Sequence, residues 1–113
     1  ELRELVIDYL SQDMVSAQRI RDVLLPACLE KKTVRRDELK EELVRHGEAG
    51  DTTSAGFALT AMSSQIGMEK NDFLRQIIDY DYPTYSWEKD NYSIRDGFEE
   101  LVREILGELK EGI

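Results

Sequence analysis

At 113 residues, with 24 acidic against 15 basic side chains and a net charge of −9, the chain has the length of one domain that buries roughly two-thirds of the surface its unfolded form exposes. A single cysteine, Cys28, excludes an intramolecular disulfide, and a single histidine, His46, excludes a Cys/His zinc cluster. No apolar run approaches the ~18 residues that span a bilayer, and the acidic balance weighs against indiscriminate adhesion to nucleic acid or membrane.

Leu2, Leu5, Val6, Tyr9 and Leu10 recur at helical spacing, which predicts an opening helix ending near Ser11. The start, ELRELVIDYL, has neither an initiating Met nor a signal-peptide layout. The chain is therefore expected to be a single domain, residues 1–113, excised from a larger cytoplasmic protein. A second helix over about Met14 to Lys31 would bury Val15, Ile20, Val23, Leu24 and Ala27, with Pro26 kinking it or opening a new turn. Cys28 reads as a small core residue.

Lys32-Thr33-Val34 is a short extended candidate, followed by a third helix from about Arg36 to His46 with Leu39, Leu43 and Val44 inward. Gly47 and Gly50 stop that helix. Thr52, Thr53 or Ser54 can cap a fourth, whose Ala55, Leu59, Met62 and Ile66 lie on one face and which ends at Gly67.

In MEKNDFLRQIIDY, Asn71 is a plausible N-cap and Phe73, Leu74, Ile77 and Ile78 form an inner stripe, so a fifth helix is expected; a strand is the alternative, since Leu74, Ile78, Tyr80 and Tyr82 also fit alternation. Asp79 to Tyr92 then reads DYDYPTYSWEKDNY, which holds four of the five tyrosines and the only tryptophan. Aromatics with a polar end suit recognition surfaces, because they bury much area while keeping a hydrogen bond. A turn is expected at Pro83, a short strand over Asn91 to Arg95, and a closing helix carrying Phe98, Leu101, Val102, Ile105, Leu106 and Leu109.

Met62 to Ile78, MSSQIGMEKNDFLRQII, combines a small residue (Ser63), an apolar one (Ile66), Gly67 four after the small one, apolar Met68 and the apolar Leu74 and Ile77. This pattern resembles the helix-turn-helix of the winged-helix DNA-binding superfamily, in which the glycine permits the tight turn and the apolar positions fix the angle between the helices. Leu74 and Ile77 fall into place only if the turn carries one extra residue. The second helix would expose Lys70, Asn71, Asp72, Arg75, Gln76 and Asp79, and Asn, Gln and Arg can contact base edges in pairs of hydrogen bonds. A second registration pairs the helix Asp37 to His46 with the helix Ser54 to Ile66. Thr60, Ser63, Ser64 and Gln65 would then face the groove, and Phe73 to Tyr82 and Asn91 to Arg95 would be the wing strands.

The resemblance implies a mainly α fold, a winged helix-turn-helix with a small β-hairpin wing and extra N- and C-terminal helices. It also implies a non-catalytic module for double-stranded DNA. Candidate DNA contacts are Arg35, Arg36, Ser64, Gln65, Lys70, Asn71, Arg75, Gln76 and Lys89, with Tyr82, Tyr85 and Trp87 touching a partner or a base. Met14 to Arg36 has a local excess of four positive charges. Each phosphate that such cations neutralise adds about 0.9 to the salt slope.

The alternative function is a winged-helix-type protein-interaction or dimerisation module using the acidic surface and the aromatic segment, with a protein partner or the rest of a multidomain chain. A reader that cages a modified group with Tyr80, Tyr82, Tyr85 and Trp87 is a third class. Enzymatic chemistry has little footing. Glu38-Leu39-Lys40 and Glu108-Leu109-Lys110 imitate a nuclease Glu-x-Lys but lie in helical patterns, and no Gly-rich phosphate loop, HExxH or nucleophile elbow occurs. No cofactor and no metal is expected.

Overall fold

The computed structural model describes residues 1–80 and 91–112, with only the backbone of Tyr80. The expected contacts Tyr82, Tyr85, Trp87 and Lys89, and the turn at Pro83, lie outside the described residues. The described part is mainly helical, with a small three-stranded antiparallel sheet. Helix α1 (Leu2–Leu10) buries Val6, Tyr9 and Leu10 and ends at Ser11, whose N–H returns to the Ile7 carbonyl.

The second helical stretch is continuous but not uniform. Helix α2 (Val15–Arg19) passes through a π-helical turn, Ile20–Leu24, into α3 (Leu25–Glu30). Pro26 has no N–H for the carbonyl four residues back, and its ring crowds that turn. The ladder widens just before it, where the Leu25 N–H donates to the Ile20 carbonyl five residues away. Ile20, Val23, Leu24 and Cys28 are buried as their spacing predicts, whereas Val15 stands 55 % exposed.

Strand β1 (Thr33–Arg35) leads directly into α4 (Arg36–Arg45), which buries Leu39 and Leu43. At its start the Glu38 carboxylate accepts the Arg35 N–H at 3.0 Å, half of a capping box. At its end Gly47, at φ +77°, donates to Val44 and Glu48 donates to Leu43. That pair of bonds is a Schellman closure, whose left-handed residue is best supplied by glycine.

Helix α5 (Thr52–Gly67) is capped by Asp51, not by the residues expected for that role: its carboxylate accepts the Ser54 N–H at 2.8 Å. This bond, from the positive end of the helix, holds the Asp51 carboxyl below its ordinary range. The fifth helix expected after it is cut short. A 3₁₀ turn, Glu69–Asn71, is followed by a single turn, α6 (Leu74–Ile77), and then by strand β2 (Ile78–Tyr80). Asn71 is no N-cap, because its side chain turns back to α5, and Ile78–Tyr80 gains a ladder partner in β3 (Asn91–Ile94).

The sheet order is β1-β3-β2. Val34 faces Tyr92, which faces Tyr80, and Ile78 faces Ile94. Val34, Tyr92, Ile78 and Ile94 are buried in the core, while the alternate rung of Thr33, Ser93 and Asp79 turns outward. Helix α7 (Glu99–Glu111) closes the core with Val102 and Ile105 and is tied to α1 where Arg3 meets Glu104 at 3.2 Å and also Glu108.

Candidate interaction surface

Several polar residues that sequence assigns to a ligand are used inside the fold. The C-terminal end of α5 leaves carbonyls without helical partners. Asn71 Nδ2 donates to the Gln65 carbonyl at 2.9 Å, and Arg75 Nη1 donates to the Ile66 and Met68 carbonyls at 2.7 and 3.0 Å. Gln65 Oε1 in turn accepts the Tyr9 hydroxyl at 3.0 Å. Asn71 is only 5 % exposed, so the expectation that Asn71 and Arg75 stand out from a solvent-facing helix is corrected: they cap the end of α5. Lys70 and Gln76 do project outward.

The basic cluster is similarly matched. Lys31 Nζ lies 2.6 Å from Glu38, Lys32 Nζ 3.6 Å from Asp96, and Arg35 Nε 3.9 Å from Glu38. The Glu38 carboxyl is held below its ordinary range, first by the Arg35 N–H and then by Lys31. Arg36 alone of this group turns to α5, where Nη2 donates to the Gly56 carbonyl and to Thr60 Oγ1, both at 3.3 Å. These cations therefore make no continuous free patch.

What the fold does present is one face of α5. The helix runs TTSAGFALTAMSSQIG, sixteen residues without a charge. Ala55, Leu59, Met62, Ser63 and Ile66 are buried, while Thr53, Phe57, Thr60, Ala61 and Ser64, three or four apart, form an exposed stripe. Phe57 is 75 % exposed near its middle. Lys40 crosses the same turn, its Cδ 3.8 Å from where a side chain on Gly56 would begin, so Arg36 and Lys40 flank the stripe on the α4 side.

The stripe is held by a buried polar link. Ser63 Oγ and the Tyr92 hydroxyl lie 2.5 Å apart, joining α5 to the central strand. Burial pushes the Tyr92 phenol up, while its bonds to Ser63 and Arg36 pull the other way. Phe57 is absent from the candidates that the sequence suggested, yet its signal was legible: the inward stripe Ala55, Leu59, Met62 and Ile66 leaves position 57 on the opposite side of the helix.

Among the described residues, other chemistry has no comparable geometry. Cys28 is buried and its thiol is pushed up to about 12, which leaves it protonated and unreactive. Among the described residues no group of three or more His, Cys, Asp or Glu side chains is placed to hold a metal ion, and no helix is long and apolar enough to cross a membrane. A scan of protein-family models and searches of the curated proteins and the solved structures found no match to the chain.

Proposed function

We propose that the chain is a winged-helix-type recognition module whose α5 face docks on a protein partner, with Phe57 as the anchor. The order α3, β1, α4, α5, α6, β2, β3, with β3 between the other strands and α6 a single turn, supports the winged-helix part of this reading. In that arrangement α4 and α5 correspond to the helix-turn-helix, and the paired strands β2 and β3 to the strands of a wing. The observation that carries the protein-partner part is the charge-free α5 with a phenylalanine 75 % exposed. An aromatic ring held on a rigid helix is the kind of side chain that anchors a protein interface, whereas affinity for duplex DNA comes mainly from cations on phosphate.

A DNA-binding reading rests on the same topology, with Thr53, Thr60 and Ser64 toward a groove and Arg36 beside them. The net charge of −9 and the ion pairs of Lys31, Lys32 and Arg35 stand against it. The two readings separate experimentally. A photo-crosslinking residue at position 57 is expected to capture one defined protein in cells, and the same residue at exposed Gln76 is not. Duplex DNA titrated at low and at physiological salt is expected to give no binding. Salt-dependent duplex affinity that Arg36→Ala reduces and Phe57→Ala leaves intact would establish the DNA reading instead.

A further inference from the structure

A second surface lies where α3 and the π-helical turn before it meet α7. Two cavities of about 500 and about 470 Å³ share Pro26 and Leu106 as walls and so form two lobes of one groove. Leu109 extends its apolar side in the first lobe. We infer that this groove binds an acidic amphipathic segment of a partner protein, seating an apolar side chain on Pro26, Leu106 and Leu109 and placing carboxylates on Arg103 and Lys110.

Charge selects the occupant. The groove is lined by four cations and three carboxylates, a local positive excess on a chain of net charge −9. Two of the cations are already answered: Arg21 is held in a fork by Asp22 at 2.7 and 2.8 Å, and Arg45 faces Glu42 and Glu30. Arg103 and Lys110 have no ion-pair partner among the described residues, although both project from a helix rich in glutamate. An apolar channel edged by two uncommitted cations complements a helix whose apolar side chains recur at i, i+3, i+4 and i+7 with carboxylates beside them.

Gly107 is the second indication. It lies in the interior of α7, lines the first lobe, and a Cβ added to it would meet nothing within 4 Å. Glycine is a poor residue for a helix interior, and neither packing nor backbone conformation requires it here. Its missing side chain leaves the groove open.

The probe is a fluorescein-labelled synthetic peptide of Glu with Leu and Phe at helical spacing, titrated by anisotropy at low ionic strength, with a Lys-for-Glu peptide as control. Binding of the acidic peptide alone is expected, with amide shifts confined to α3, α7 and the adjoining π turn. Arg103→Glu combined with Lys110→Glu is expected to weaken it about tenfold, since each exposed ion pair is modest. Gly107→Trp is expected to block it and Gly107→Ala to leave it unchanged, both with native circular dichroism. Phe57→Asp is expected to have no effect, which keeps this groove independent of the α5 surface. Absence of binding, equal affinity across the groove variants, or loss on Phe57→Asp would overturn the inference. So would self-association in sedimentation velocity that the charge reversals abolish, because the occupant would then be a second copy.

Discussion

The contact between the Ser63 and Tyr92 hydroxyls joins α5 to the central strand, and its removal has a calculable effect. Tyr92 is 1 % exposed and Ser63 4 %, so neither hydroxyl has bulk water as an alternative partner. Tyr92→Phe keeps the ring and deletes one hydroxyl, leaving Ser63 without its 2.5 Å partner. A buried hydrogen bond removed from one side costs about 1–2 kcal/mol. Ser63→Ala should cost less, about 0.5–1 kcal/mol, because the Tyr92 hydroxyl retains its interaction with Arg36. For a domain of 113 residues each kcal/mol lowers Tm by about 4 °C, so Tyr92→Phe is expected to lose roughly 4 to 8 °C. The assay is urea unfolding of wild type, both single variants and the double variant, closed as a thermodynamic cycle. A coupling energy near 1 kcal/mol is expected. Strictly additive single effects would refute the reasoning, because the two hydroxyls would then act independently.

Two further outcomes follow from the same structure. Burial pushes both the Cys28 thiol and the Tyr9 hydroxyl up to about 12, from ordinary values of 9.0 and 10.0. The unfolded chain therefore releases these protons first and binds fewer of them, so stability is complete below pH 9 and falls as pH rises toward 12. Urea midpoints should decline across that window, and Cys28→Ala should delay the onset toward the tyrosine value; a midpoint flat in pH would contradict the burial of both groups. Gly47→Ala places a side chain at φ +77° with nothing within 4 Å of its Cβ, so the cost is that of the left-handed backbone alone, about 1 kcal/mol. A loss well above that in thermal unfolding would mean that the loop after α4 packs differently.

The helices were legible in the sequence because their signals are local. Val6, Tyr9 and Leu10, or Leu59, Met62 and Ile66, declare an inner face within two turns of chain, and Gly47 and Gly67 mark ends that the structure keeps. The break at Pro26 was legible too, though not that it would appear as a π turn ahead of the proline. The cap of α5 is Asp51, ahead of the Thr52, Thr53 or Ser54 expected for it, since all four carry a capping oxygen and only the backbone conformation distinguishes them.

The exchange of a fifth helix for α6 and β2 could not be read locally. LRQIIDY satisfies either period, and what decides is β3, a distant segment that offers Ile78–Tyr80 a hydrogen-bonding ladder. The candidate site residues divide in the same way. Sequence determined their types: a charge-free fourth helix, a basic cluster over Met14 to Arg36, and a phenylalanine off the inner stripe. Only the tertiary structure decided their use. It turned Asn71 and Arg75 back onto the end of α5, set the Gln65 side chain against the Tyr9 hydroxyl, paired Lys31, Lys32 and Arg35 with carboxylates, and left Phe57, Arg103 and Lys110 facing out. The reason is physical: helical periodicity is written into neighbouring residues, whereas the partner that satisfies a polar group, or the absence of one, is set by which distant segment the fold brings beside it.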